Sequence, residues 1–194
     1  GSFFHAGSHR IRFDVAMQTR EMEGREARPT AGVIDSQTVK TTESGGVRGD
    51  DAGKRINGRK RHAVVDTIGL LVGRVVHAAD VQDRDGAPAV LASIHRSGPW
   101  LRRFFADGGY AGPKLRRVRD RVGTWTIEVV TRPGTAKGFE VLPRRRVVER
   151  TFARPGRCRR LAKDRETSIA SAEAWIDISH ICLTTRRLAR YCYA

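Results

Sequence analysis

Three acidic residues stand where a carboxylate needs a reason. Asp35 closes the apolar run of "AGVIDSQTVK", Asp107 closes that of "RRFFADGG", and Glu149 sits inside the cationic stretch "RRRVVERTF" at 144–152. An acid beside a buried apolar run must find a partner. Three carboxylates brought together would supply hard oxygen ligands suited to Mg²⁺ or Mn²⁺. Two such ions, roughly 4 Å apart, can activate a nucleophile and stabilise a leaving oxygen in phosphodiester chemistry. Each acid also has a plainer role. Asp35 can be a turn or cap residue, and Glu149 can pair with Arg145, which lies one helical turn before it.

Other constellations carry less. Asp66 fits a hairpin turn. "ADVQDRDG" resembles a calcium loop, but Val81 stands where that loop needs an acid, so its acids cap the following helix instead. "RGDDAGKRINGRK" lacks the spacing of a P-loop, and no Ser/His/Asp set is legible. "HAGSHR" is no metal site, because Gly7 and Ser8 between its histidines disfavour a helix.

Charge names the class of partner. The 194 residues carry a formal net charge of +16, and the isoelectric point is about 11.1. Such an excess points to nucleic acid, though not to DNA over RNA. Two segments are densest in cations and would neutralise phosphates: Lys54, Arg55, Arg59, Lys60 and Arg61, then Arg144, Arg145, Arg154 and Arg157. The three cysteines, Cys158, Cys182 and Cys192, make no C-x-x-C pair and suit a reducing compartment. "WIDISHICL" is too short to span a bilayer and holds Asp177 and His180, so no membrane is expected. The chain opens with Gly-Ser rather than Met, as a piece of a longer protein would.

The elements that must position the acids follow from periodicity. Residues 1–30 are weakly patterned and predict a partly ordered N-terminal arm, ahead of one domain over 31–194. "AGVIDSQTVK" predicts a strand, and "ESGGVRGDDAGKRINGRKR" a Gly-rich loop. "HAVVDTIG" and "LLVGRVVHAA" predict a hairpin turning at Asp-Thr-Ile-Gly. "DRDGAPAVLASIHRS" predicts a helix with Pro88 in its first turn. Further along come a strand at "RRFFADGG", a helix at "GPKLRRVRDRVG", a strand at "TWTIEVVTRPG" and a helix after Pro143. A last helix places Trp175, Ile178 and Cys182 along one face. An antiparallel start followed by alternating strands and helices predicts an α/β, ribonuclease H-like mixed five-stranded sheet flanked by helices. In that fold the first and fourth strands are neighbours and the late helix packs near their ends. Asp35, Asp107 and Glu149 would then converge.

The ordered series "GVIDSQTVK", "DAGKRINGRKRH", "VVDTIGLL", "HAADVQDRDGA", "FADGGYAG", "VLPRRRVVERTF" and "GRCRRLAKD" resembles the catalytic region of DDE transposases of bacterial insertion sequences, in the insertion sequence five-like group. The likeness runs from about residue 30 to 190. It implies Asp35, Asp107 and Glu149 as catalytic metal ligands, with Mg²⁺ as cofactor and Mn²⁺ as substitute. It implies double-stranded DNA as partner, both element ends and target, a homodimer on that DNA, and a nucleoid-associated place in the bacterial cytoplasm. The chemistry implied is metal-dependent cleavage at element ends followed by strand transfer. Arg145 matches the late Arg that accompanies the Glu, and Arg157 is the nearest match to the basic residue after it.

The chain departs from the family at Arg146, Arg154-Pro155 and Asp50, and the family's upstream helical region is expected to be absent or reduced to the first 30 residues. These departures predict impaired activity, and at the limit a catalytically inactive, nucleic-acid-binding transposase remnant. A basic RNA-binding protein would explain the charge but not the ordered acids. Pro155 lacks an N–H and clashes with the preceding turn at a cost of roughly 3 kcal/mol, so the helix carrying Glu149 should kink or end near residues 152–154. Replacing Arg154→Trp together with Pro155→Leu should raise plasmid nicking. An unchanged rate would clear the proline of blame.

Overall fold

The computed structural model describes residues 2–43, 45–95, 98–110, 117, 125–130, 151 and 158–192. Helix α1 (Ser2–Met22) leads into strand β1 (Ala31–Lys40), then β2 (Gly49–Asp51), β3 (Ile56–Asp66) and β4 (Leu71–Ala78). Helix α2 (Asp83–His95), strand β5 (Arg103–Asp107), a 3₁₀ turn (Gly108–Tyr110) and strand β6 (Thr126–Val130) follow. The described chain ends with the short helix α3 (Arg159–Ala162) and the long helix α4 (Ile169–Cys192). The expected helices at 112–123 and after Pro143, with Pro155, lie outside the described residues apart from Arg117 and Thr151, both helical.

The sheet is mixed, in the order β4-β3-β1-β5-β6. β3 and β1 are antiparallel with Asp35 opposite Ala63, and β1, β5 and β6 run parallel. The outer edge of β3 is shared: β4 pairs with Arg59–Val65, and the three-residue β2 pairs with Ile56–Gly58. This is the predicted ribonuclease H-like sheet with one short strand added. The hairpin turns where predicted. Asp66 accepts the N–H groups of Ile68 and Leu70 on Oδ1.

Alternation along the strands, broken by one register shift between β3 and β4 at Val64/Val65, builds two apolar layers. Ile34, Val64, Val72 and Phe104 face one side, where α2 covers them with Val90, Leu91 and Ile94. Val33, Val65, Leu71 and Phe105 face the other, under Leu161 of α3 and Ala172 and Ile176 of α4. A period of two in a strand requires this division.

Three expectations need correction. First, "INGRKR" is not loop but the first half of β3, and Arg59, Lys60 and Arg61 in it are buried. Arg59 donates to Asp164 at 3.0 Å and to the carbonyls of Val47 and Thr167. Arg61 donates to the Leu161 carbonyl and lies 3.6 Å from the other Asp164 oxygen. Charges with partners can be buried; without partners they cannot.

Second, Ser2–Met22 is a helix, despite Gly7 within it. Tertiary anchors offset the roughly 1 kcal/mol that a mid-helix glycine costs. Arg12 pairs with Asp177 of α4 at 2.9 Å and donates to the carbonyls of Leu71 and Val72. Arg20 pairs with Asp66 at 2.5 Å, and Glu23 pairs with Arg187. The helix stops because Gly24 takes φ +67, letting Arg25 N–H reach back to the Arg20 carbonyl.

Third, α4 buries a polar face: Ala172, Ile176, Asp177, Ser179, His180 and Thr184. Cys182, expected along one face with Trp175 and Ile178, is exposed, whereas those two are half-buried. Asp177 fixes this rotation by pairing with Arg12 and with Arg74 of β4, the latter at 2.5 Å. Burial holds the Arg12 guanidinium at a pKa of about 10, below its ordinary value, and Arg74 pulls the same way against the attraction of Asp177.

Asp177→Ala would leave two buried guanidinium groups without their carboxylate. We expect a loss of about 3–5 kcal/mol in urea denaturation, the range for breaking a buried ion pair from one side. A loss below about 1 kcal/mol would show that the carbonyl contacts suffice without it.

Candidate active site

The parallel pairing of β1 with β5 places two of the predicted acids together. The last paired rung is Val33 with Phe105, and Asp35 and Asp107 each lie two residues beyond it. Asp35 is therefore mid-strand in β1 rather than at its end, because β1 continues against β3 as far as Lys40. Both acids are half-buried. Asp35 Oδ1 accepts the Ser36 N–H at 2.7 Å, and Asp107 Oδ1 accepts the Gly109 N–H at 2.9 Å.

The 3₁₀ turn after Asp107 folds Tyr110 back under both acids, fully buried. Burial, and then the negative charges of Asp35, Asp83 and Asp107, push the Tyr110 phenol far above its ordinary pKa; only a hydrogen bond with Ser36 pulls it down. Three carboxylates thus act on one hydroxyl. Asp83 comes from the first turn of α2. A side chain at Gly109 would approach both Asp107 and Asp83, which places these two acids together beside the turn.

Asp83 was expected only to cap its helix. Instead its Oδ1 accepts the Ser36 hydroxyl at 2.7 Å and pairs with the Lys60 ammonium at 3.2 Å. Partial burial raises its pKa, but Ser36 and Lys60 outweigh that and hold it ionised below the usual carboxylate range. Lys60 also reaches Asp51 at 3.7 Å, and Asp51 accepts the Thr38 hydroxyl at 2.7 Å. The signal for Asp83 was its place: a helix opening directly after β4, with its first turn over β1.

The predicted cations divide. Lys54 and Arg55 lie exposed at the turn between β2 and β3, Arg55 at φ +53. Arg59, Lys60 and Arg61 are committed to the internal partners described above. The phosphate-binding expectation for this segment therefore narrows to Lys54 and Arg55. Glu149, Arg144, Arg145, Arg154 and Arg157 lie outside the described residues. Thr151, two positions after Glu149, is buried and donates to the Gly69 carbonyl at 3.1 Å.

Among the described residues no group of three or more His, Cys, Asp or Glu side chains could hold a metal ion. Asp35 and Asp107 supply two of the three acids expected to do so. Carboxylate oxygens are the donor type that a hard divalent cation takes, so the described residues fit such an ion as far as they reach.

Asp35 and Asp107 thus stand on adjacent parallel strands of a β4-β3-β1-β5-β6 sheet with helices on both faces. Over residues 26–184 the sequence matches the family described as transposase DDE domain, and the chain belongs to it. Members of that family work with divalent metal ions. No curated protein matches the chain. Among solved structures it is similar to the catalytic domain of Mos1 mariner transposase, with 11% identity and a TM-score of 0.42, over 95% of this chain and 89% of that one. It is also similar to the Mos1 mariner paired end complex with Mn, with 12% identity and a TM-score of 0.43, over 95% of this chain and 60% of that one. These superpositions are too loose to transfer residue roles.

Behind Tyr110 lies His62 of β3, fully buried, its Nδ1 3.4 Å from the phenol oxygen. A side chain at Gly86 would strike the His62 ring, so α2 can pack here only with glycine. Burial, then the charges of His77 and Lys60, lower the His62 pKa to about 3. The folded state therefore holds this ring neutral while the unfolded chain takes up a proton near pH 6.5. Stability should fall as pH drops from about 6.5 towards 3. His62→Gln should flatten that fall in urea titrations at pH 7, 5 and 4. An equally steep fall in the variant would locate the acid sensitivity elsewhere.

Proposed function

We propose that this chain is the catalytic domain of a bacterial insertion-sequence transposase of the insertion sequence five-like group. It cuts element ends and joins them to target DNA, with Mg²⁺ as cofactor and Mn²⁺ as substitute. The observation that carries the proposal is the parallel β1–β5 pair, with Asp35 and Asp107 level beyond their last rung and both acting on Tyr110. The Mos1 structures include paired-end and strand transfer complexes, which agree with duplex DNA as the partner.

In this proposal Asp35, Asp107 and Glu149 hold the cation. When bound, it supplies Lewis acidity at the scissile phosphate and lowers the pKa of attacking water. The chain's own residues do the rest. The Ser36 and Gly109 N–H groups orient the two aspartates. Tyr110 closes the floor of the site against water. Lys54 and Arg55 meet DNA phosphates at the β2–β3 turn, and Arg144, Arg145, Arg154 and Arg157 extend that track. Arg145 also orients Glu149. A homodimer on DNA within the bacterial cytoplasm, at the nucleoid, completes the proposal. No described helix is long and apolar enough to cross a membrane.

A plasmid-nicking assay with Mg²⁺ or Mn²⁺ tests the chemistry. Losing several kcal/mol of metal-assisted stabilisation corresponds to about 10²–10³-fold, so Asp35→Asn should slow nicking by that factor. Wild-type protein that binds DNA without nicking it would instead support the inactive remnant. Duplex binding should weaken with salt, each neutralised phosphate contributing about −0.9 to the slope of log affinity on log salt. Lys54→Ala with Arg55→Ala should make that slope shallower by about 2, while a slope unchanged by the pair would move the DNA track elsewhere.

A further inference from the structure

A polar chain runs from Lys60 through Asp83 to Ser36, and the direction of the Ser36–Asp83 bond is fixed. The Asp83 carboxylate can only accept, so the Ser36 hydroxyl donates to it across 2.7 Å. Tyr110 shares a hydrogen bond with the same Ser36 side chain. Its phenol oxygen lies 3.4 Å from His62 Nδ1, with the roles set by the imidazole tautomer. At the far end Lys60 clamps Asp83 and bridges to Asp51.

Ser36 is the junction. Its hydroxyl is tied to Asp83 and its N–H holds the Asp35 carboxylate. Whatever fixes Ser36 fixes Asp35.

We propose that Asp83, clamped by Lys60 and acting through Ser36, is a positioning residue that sets the Asp35 carboxylate for metal binding. The proposal rests on the acid-pair assignment above. Asp83 does not ligate the ion; it holds the peptide that orients a ligand. Partners of this kind tune metal affinity although they never touch the metal.

The test is Mn²⁺ affinity, measured by calorimetry and by electron paramagnetic resonance on the full chain without DNA. Each variant is compared at helical circular dichroism equal to wild type. Ser36→Ala and Asp83→Asn should each weaken Mn²⁺ binding about tenfold. Because both cut the same chain, the double variant should be no worse than the weaker single one. Tyr110→Phe keeps the buried ring, loses only the hydroxyl and should also weaken binding; it carries the test if either other variant fails to fold.

Wild-type affinity in the single variants overturns the proposal, and so does a double variant whose losses add. If Asp83→Asn abolishes binding as completely as Asp35→Asn, Asp83 is itself a ligand and the positioning role is wrong. Wild-type protein that binds no Mn²⁺, or Asp35→Asn that binds normally, overturns the acid-pair assignment and this inference with it.

Discussion

Two buried arginine–aspartate–arginine groups hold the molecule together. In one, Asp164 takes Arg59 and Arg61 of β3; in the other, Asp177 takes Arg74 of β4 and Arg12 of α1. Each carries two cations for one anion, all nearly fully buried. Their burial is tolerable because the surplus donors end on main-chain carbonyls: Val47, Thr167 and Leu161 in the first group, Leu71, Val72 and Glu173 in the second. Hydrophobic residues of equal volume could give equal or greater stability. What the ion groups add is geometry. An apolar face can slide along another, whereas a bidentate carboxylate between two guanidinium groups admits few arrangements.

The geometry around Ser36 and Asp83 depends on that fixity. Asp164 also extends β1 through its main chain, donating to the Lys40 carbonyl and accepting from Thr42 N–H. The same residue therefore ties the ends of β1 and β3 while its side chain locks two arginines of β3. Between those arginines Lys60 points the other way, to Asp83. The buried arginines and the Asp83 clamp thus leave one strand from opposite faces.

Legibility in the sequence follows from how each element is buried. β1, the β3–β4 hairpin, α2 and β5 bury apolar residues at regular spacing, and their positions could be read from Val33-Ile34, Val64-Val65, Val90-Leu91 and Phe104-Phe105. The first half of β3, helix α1 and the buried face of α4 could not. Each buries charge, and the partner that makes burial possible lies far away: Arg59 and Asp164 are 105 positions apart. A local window sees "GRKR" as a solvated loop and "REMEGRE" as an arm. The acids Asp35 and Asp107 were legible because they close apolar runs. Asp83 was not, since its partners Ser36 and Lys60 come from two other strands. Helix α1 also shows how far anchoring outweighs propensity, since nothing local favours a helix through Gly7.

The alternation along β3 has a consequence for how such a protein can change over generations. Arg59 and Arg61 serve one face and Lys60 and His62 the other, so the four-residue run is a two-sided key. Point substitutions alter one tooth. A single-codon insertion or deletion between Ile56 and Asp66 reverses all of them, turning cations towards Tyr110 and the imidazole towards Asp164. By contrast, the turn at residues 52–55 can lengthen or shorten without disturbing that order. Length variation among descendants of this chain should therefore gather at the tip of the β2–β3 hairpin and be nearly absent from the strand behind it.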